Sequence, residues 1–291
     1  MLTLLRRIYP GKLKAAHLEH GIRGGASLVD AEFVERYCAN IDVPCFVRRR
    51  DVVNNRAAGE SVEMAGRRER YNFFFELSES EGIPFVATAH NSGDVIETML
   101  LNLFRGSGVK GLSGIAEVAG RVVRPVIDRT GEELRAFLSS EGIPWREDET
   151  NSENHYQRNK IRNQLLPWVR ENLNDSPEAV LLGFAKECAE LSRSMDTDAR
   201  ALLGWLSRTA PPALAAWDMR LARSLTDERL ARVLRAQGSL LSLPAIDRRR
   251  TGSLIGLIRN SGRWRFQWSG NIEVCGSPLL IGWLNRPRLK R

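Results

Sequence analysis

Ala87-Thr88-Ala89-His90-Asn91-Ser92-Gly93-Asp94-Val95-Ile96-Glu97-Thr98 runs from the end of one regular element straight into the next. Its first residues close a short apolar run, Pro84–Ala89, which reads as a strand. From Ser92 to Phe104 the apolar period becomes helical. Ile96, Met99, Leu100, Leu103 and Phe104 share one face and predict a buried stripe. A strand passing directly into an amphipathic helix is the repeating step of a βαβ unit.

The same alternation extends outward. Lys12–Leu18 and Pro44–Arg48 read as strands, and Ser27–Asn40 and Ser61–Leu77 as helices. Asp42-Val43-Pro44, Gly82-Ile83-Pro84 and Gly142-Ile143-Pro144 repeat one helix-stop chemistry, a C-cap residue with proline just beyond. The predicted class is α/β with a Rossmann-like parallel sheet. Asn154–Asn172 is helical again, with Ile161, Leu165 and Trp168 on one face and Pro167 expected to kink or end it. The turn cluster Asn174-Asp175-Ser176-Pro177 divides the chain into 1–174 and 175–291. Beyond it, Leu181, Phe184, Cys188, Leu191 and Met195 recur at helical spacing. Trp264, Phe266 and Trp268 then alternate with polar residues before the turn Ser269-Gly270-Asn271, and Ile272 and Val274 alternate after it. The second domain is therefore expected to be smaller and mainly helical, with a terminal β-hairpin.

Of 291 residues, 43% are hydrophobic and 27% charged, the mix of an ordinary globular protein. The net charge of +8, mostly arginine, favours a polyanionic partner, nucleic acid before membrane. A genome-wide arginine bias gives the same number. No apolar run approaches the length of a transmembrane helix. Cys38, Cys45, Cys188 and Cys275 form no C-x-x-C pair, which argues against zinc and thioredoxin chemistry and predicts reduced thiols in the cytoplasm.

Five constellations could carry chemistry. His17-Leu18-Glu19-His20-Gly21-Ile22-Arg23-Gly24 follows a strand, so His20 and Arg23 stand at the end where open α/β sheets bind ligands. A simple turn would look the same. Arg67 and Arg70 share a helix face and could grip phosphates, or be a solvated face paired with Glu63 and Glu69. Asp94 and Glu97 lie one turn apart at a helix start, where carboxylates are favoured and could hold an ammonium group or a metal. Plain helix charging is the alternative, and His90 at the strand end tips the reading toward function. Arg105-Gly106-Ser107-Gly108-Val109-Lys110-Gly111 has backbone a ligand could approach closely. Last, an acidic loop from Trp145 to Asn151 leads into Arg158 and Arg162, four apart on a basic helix.

In their order, these segments resemble the tRNA(Ile)-lysidine synthetase family of the PP-loop ATP pyrophosphatases. The resemblance rests on H-x-x-H-G-I-R (His17–Arg23), R-x-x-R-Y (Arg67–Tyr71), A-T-A-H-N-x-x-D-x-x-E-T (Ala87–Thr98) and L-x-R-G-S-G-x-x-G-L (Leu103–Leu112). R-P-V-I (Arg124–Ile127) and W-x-E-D-E-T-N…R-N-x-I-R (Trp145–Arg162) complete it. It is dense over residues 1–170 and looser over 175–291, where the family carries a helical tRNA-binding region.

The resemblance implies an ATP-dependent ligase. ATP, accompanied by Mg2+, adenylates the carbonyl oxygen of the wobble cytidine in the CAU anticodon of tRNA(Ile). The ε-amine of free L-lysine then attacks that carbon and AMP leaves. Asp94 and Glu97 would hold the lysine ammonium, and His90 would lie by the adenylate. His20, Arg23, Arg67, Arg70, Arg105, Arg158 and Arg162 would face the nucleotide or the tRNA. No protein-held metal is expected. Gly93 departs from the family's usual first Asp of a D-D pair, and Glu19 from its usual Asn. The family's S-G-G-x-D-S loop, which binds ATP phosphate and follows a central strand, has no counterpart before Leu2–Ile8. The expectation is a misplaced start or a truncated gene, a chain that folds poorly alone and lacks full synthetase activity. Competing readings are a tRNA-thiolation enzyme of the same superfamily and a tRNA-binding remnant without catalysis.

Overall fold

In the computed structural model, residues 1–20, 25–147, 157–260 and 262–286 are described. The first part runs α1 (Leu2–Ile8), β1 (Ala15–Glu19), α2 (Gly25–Asn40), β2 (Cys45–Arg49), α3 (Val62–Ser80), β3 (Val86–Ala87), α4 (Ser92–Phe104) and α5 (Val109–Leu112). It continues with β4 (Val118–Ala119), β5 (Val122–Val123), α6 (Gly131–Ser140), α7 (Gln157–Lys160), a π-helical turn (Ile161–Leu165) and α8 (Leu166–Asn172). Then come α9 (Pro177–Leu206), β6 (Ser207–Arg208), β7 (Ala215–Asp218), α10 (Met219–Ser224), α11 (Asp227–Leu240), α12 (Arg248–Arg259), β8 (Trp264–Ser269), β9 (Ile272–Gly276) and β10 (Leu280–Asn285). The chain divides into two compact units, Met1–Ala189 and Glu190–Arg291.

The first unit is α/β. Parallel strands need a crossover, and α2 supplies it between β1 and β2, which pair in parallel with Ala15 opposite Cys45 and Glu19 opposite Arg49. β3 pairs in parallel with β5, and β4 closes back antiparallel on β5. Among the described residues no strand bridges β1 to β3, so the expected parallel pairing is realised in two sheets. Helix α3 packs on both β1 and β3.

The α4 stripe was legible over its earlier turns. Val95, Ile96, Met99 and Leu100 pack with Ile161, Leu166 and Ala185. Leu103 and Phe104, expected in that stripe, are exposed. The apolar partners of α4 lie along its earlier turns, and its last turn extends past them. Pro167, expected to kink or end its helix, does not end it. The π-helical turn just before it absorbs an extra residue, and α8 continues to Asn172 although proline donates no N–H.

In the second unit the predicted hairpin β8–β9 is present, with a bulge between Gln267 and Ser269. It is the end of a five-stranded antiparallel sheet ordered β6-β7-β10-β9-β8. Trp217, Trp268, Trp283, Val274 and Ile281 from this sheet share one core with Leu230, Leu234, Leu254 and Ile258 from α11 and α12. Buried positions on α9 include Ala185, Cys188, Ser192, Ala199, Leu203 and Leu206, while Phe184 and Leu191, expected inside, are exposed. The helical period was right, and Cys188 lies inside as expected.

The three helix stops are Schellman turns, with Asp42, Gly82 and Gly142 at φ 52°, 64° and 62°. In each, the next apolar residue donates its N–H back across the turn: Val43 to Cys38 at 3.0 Å, Ile83 to Ser78 at 2.8 Å and Ile143 to Leu138 at 2.9 Å. A fourth, Ser242-Leu243-Pro244, carries no such mark in the sequence; Ser242 has φ 52° and Leu243 bonds to Gly238 at 2.8 Å. A left-handed residue with a side chain costs about 1 kcal/mol more than glycine there. Gly82→Ala, which meets no neighbouring atom, should lower unfolding stability by about 1 kcal/mol, and Ser242→Gly should raise it by about 0.5–1 kcal/mol. Urea unfolding measures both; equal stability of all three proteins would reject the strain.

Candidate functional site

Helix α4 starts on a reciprocal cap. The Asn91 side chain accepts from the N–H groups of Gly93 (2.9 Å) and Asp94 (3.3 Å). Asp94 reaches back, accepting the Asn91 N–H at 2.8 Å. One carboxylate oxygen of Asp94 thus fixes the helix start. Glu97, one turn on, is 2% exposed. Its Oε1 accepts from Arg162 Nε at 2.7 Å and pairs with Arg162 Nη2 at 2.7 Å, and its Oε2 has no donor among the described residues. Burial raises the Glu97 pKa, and the Arg162 hydrogen bond and charge oppose that rise. Arg162 itself remains substantially exposed; the π-helical turn carries it to the carboxylate.

His90 leaves the end of β3. Its Nδ1 lies 2.9 Å from the Thr88 hydroxyl. Burial lowers its pKa; Asp94 raises it, and Arg124, Arg67 and Arg158 lower it further. Thr88, His90, Asp94, Arg70, Tyr71 and Phe74 line one cavity of about 360 Å³. Arg70 and Phe74 also line a second cavity, of about 470 Å³, along β1 with His17, His20 and Arg146.

Arg70 Nη2 donates to His20 Nε2 at 3.0 Å. A guanidinium only donates, so that imidazole nitrogen accepts and carries no proton. Desolvation by the surrounding protein lowers the Arg70 pKa, and Arg67 adds to this. Arg67 stacks over the Tyr71 ring at 4.9 Å. Arg158 comes within 4.0 Å of Glu63, and Arg105 donates to Gln157 at 3.4 Å. Arg23 lies outside the described residues, as does most of the acidic loop, Asp148–Asn151.

The structure thus brings His90, Asp94 and Arg70 to one cavity, joins His20 to Arg70, and joins Glu97 to Arg162. Sequence reasoning assigned no role to Arg124. It is 5% exposed, donates to the Ala116 carbonyl at 2.6 Å, and leads the charged groups that lower His90. Its signal was its place in the R-P-V-I segment directly after an apolar pair.

The model of the PP-loop domain family matches residues 1–169 of the chain. The tRNA(Ile)-lysidine synthase of Clostridium perfringens (strain ATCC 13124) is 38% identical over 194 residues, 65% of this chain and 41% of that protein. The synthase of Caldanaerobacter subterraneus subsp. tengcongensis is 41% identical over 161 residues, covering 55% and 34%. That of Chlorobaculum tepidum is 36% identical over 193 residues, covering 66% and 58%. The chain therefore spans less than two thirds of the length of these relatives. The U34-tRNA thiolase NcsA of Methanococcus maripaludis superposes with a TM-score of 0.49 at 14% identity, over 61% of this chain and 63% of that one.

The ion pair gives an asymmetric prediction. Glu97→Gln removes the buried charge while Arg162 stays substantially exposed, so it should cost less stability than Arg162→Ala. Arg162→Ala strands a buried carboxylate and should cost about 1–3 kcal/mol near neutral pH. The folded pKa of Glu97, already above the ordinary 4.5, rises further without Arg162. A raised carboxylate contributes stability below its unfolded value and loses it as pH climbs through the folded one. The deficit should therefore be smallest near pH about 4 and grow toward about 8. Urea unfolding across that range is the check, and a pH-independent deficit would refute it.

Proposed function

The chain belongs to the PP-loop domain family, and from that premise we propose that this protein is a tRNA(Ile)-lysidine synthetase. Its substrates are ATP, free L-lysine and the tRNA(Ile) with a CAU anticodon, and it acts in the cytoplasm. The observation that carries the reading is Glu97, a buried carboxylate with one oxygen lacking a donor among the described residues. It stands one turn from Asp94, which borders the His90 cavity. An ammonium group supplies the donors that such an oxygen lacks.

In the first step the cytosine carbonyl oxygen attacks the α-phosphorus of ATP and pyrophosphate leaves. Arg67 and Arg70, which have no carboxylate partner among the described residues, face the phosphates. Magnesium would accompany the nucleotide and neutralise its phosphates. In the second step Asp94 and Glu97 hold the lysine ammonium, with Arg162 drawn aside from Glu97. Loss of one proton makes the amine a nucleophile, and neutral His90 takes it at Nε2, the nitrogen not bonded to Thr88. The amine attacks the ring carbon, the carbon–oxygen bond breaks, and AMP leaves with that oxygen.

Two further observations support the reading. Burial raises the pKa of all four free thiols, Cys45 to about 12, the opposite of what sulfur transfer requires. Glu190–Arg291 carries 18 Lys and Arg against 8 Asp and Glu, whereas the rest carries 25 against 27. The basic excess therefore lies wholly in the second unit, as a tRNA-holding unit requires. No described helix is long and apolar enough to cross a membrane.

The native protein should incorporate radiolabelled lysine into this tRNA only with ATP. Asp94→Asn and Glu97→Gln should each lower kcat/KM for lysine by about 100-fold or more while tRNA affinity holds. A protein that binds the tRNA yet never incorporates lysine would overturn the reading. Affinity for tRNA should fall steeply with salt. Arg249, Arg263 and Arg265 are exposed; changing them to Gln should flatten the log–log slope by about 0.9 for each phosphate no longer neutralised. An unchanged slope would remove that surface from the interface.

A further inference from the structure

We propose that Arg124 is a positioning residue for His90: a buried cation directly after the strand that pairs with the one leading into His90, where it opposes a second positive charge. The geometry begins with the backbone. Ala87 of β3 lies opposite Val123 of β5, and the Thr88 N–H bonds to the Val123 carbonyl at 3.0 Å. Arg124 therefore directly follows the β5 residue that pairs with the segment leading to His90. The Thr88 hydroxyl, 2.9 Å from His90 Nδ1, ties the imidazole to that same strand end.

Arg124 is unusual for an arginine. It is 5% exposed, and no carboxylate pairs with it among the described residues. Among those residues its side chain makes one hydrogen bond, from Nη1 to the Ala116 carbonyl at 2.6 Å, and its buried Nε has no acceptor. A charge kept out of water and without a counter-charge costs free energy. Substituting an apolar residue of similar shape would remove that cost, so its presence calls for a use. What an unscreened buried cation does is oppose a second positive charge beside it.

Arg70 on α3 lines the cavity with His90, and the charged groups that act most on the imidazole come from four elements. Asp94 on α4 favours the protonated ring. Arg67 on α3, Arg158 on α7 and Arg124 after β5 oppose it. Arg67 is exposed to water, which screens it, and Arg158 comes within 4.0 Å of Glu63. Arg124 alone among the three is both buried and without a carboxylate neighbour among the described residues. Burial of the imidazole acts in the same direction and is the larger cause, so Arg124 works on a histidine already inclined to be neutral.

The inference rests on placing His90 at the reaction centre. The test reads the charge on His90 directly. The imidazole C–H resonances of His17, His20, His90 and His155 are titrated by NMR in the whole chain without substrate, and His90→Asn assigns the signal. In the native protein His90 should titrate below the ordinary 6.5. Arg124→Met should raise its protonated fraction at a given pH by roughly threefold, half a pKa unit. Arg124→Lys, which keeps the charge, should stay close to the native curve. Lysine incorporation should respond in step, its acid limb moving up by the same factor in Arg124→Met and not in Arg124→Lys. If Arg124→Met does not fold, Arg124→Gln, which can keep the bond to the Ala116 carbonyl, replaces it. Native His90 titrating at or above 6.5, or unmoved by neutral residues at 124, overturns the proposal. No lysine incorporation with a depressed, Arg124-dependent His90 would reject the synthetase reading and leave this inference standing.

Discussion

The reciprocal cap between Asn91 and Asp94 is the constraint from which the site is built. It fixes the residue at which extended chain becomes helix. Once that point is set, helical geometry decides the rest. Glu97 falls one turn inside, next to Ile96 and below Leu100, and is carried into the protein with the apolar stripe. His90 falls one residue before the cap, at the strand end. A helix beginning one residue later would rotate Glu97 by about 100° out of the interior. Asp94 therefore has two demands on it. One oxygen closes the cap, and the carboxylate still borders the cavity with His90.

A buried carboxylate needs a cation, and the chain brings one from a distance. Arg162 lies 65 positions after Glu97 and arrives on a π-helical turn. Such a turn inserts one residue and re-aims the side chains after it. Ile161, on the same turn, packs into the α4 core, so apolar packing and the ion pair set one register together. This linkage places the charge pair at the boundary of the core and not inside it. Glu97 is enclosed, while Arg162 keeps contact with water and can give up the carboxylate to another cation without being stranded.

Much of this was legible in the residues, and the misses have physical causes. Ser92–Phe104 was read with the bounds the structure shows, because a helix with a polar start and a strong apolar period is determined locally. The helix stops were legible where glycine or aspartate marks the left-handed residue. Serine at 242 gives no such mark, since only the surrounding turn holds it there. Leu103 and Phe104 satisfy the period but lack partners, and no local pattern reports where a neighbouring helix ends. The five-stranded sheet was visible only as its hairpin. β6 is two residues long and β7 is four, too short for an alternation to register. Their pairing depends on β10, far along the chain.

Charge shows most clearly why sequence and structure answer different questions. The sequence counts arginines; it does not say which of them are neutralised. Arg68 is held by Glu60 and Glu69, Arg146 by Asp30 and Arg121 by Glu79, so these cations serve the fold. Arg67, Arg70 and Arg124 have no such partner among the described residues, and each stands near His90 or on the cavity it lines. Two of these three were named from the R-x-x-R-Y spacing. The third was named only within the R-P-V-I segment and given no role, because a single arginine after two valines carries no periodic signal. Only burial distinguishes it: water screens Arg67 on the surface, whereas Arg124 acts on His90 through a protein interior that screens it far less.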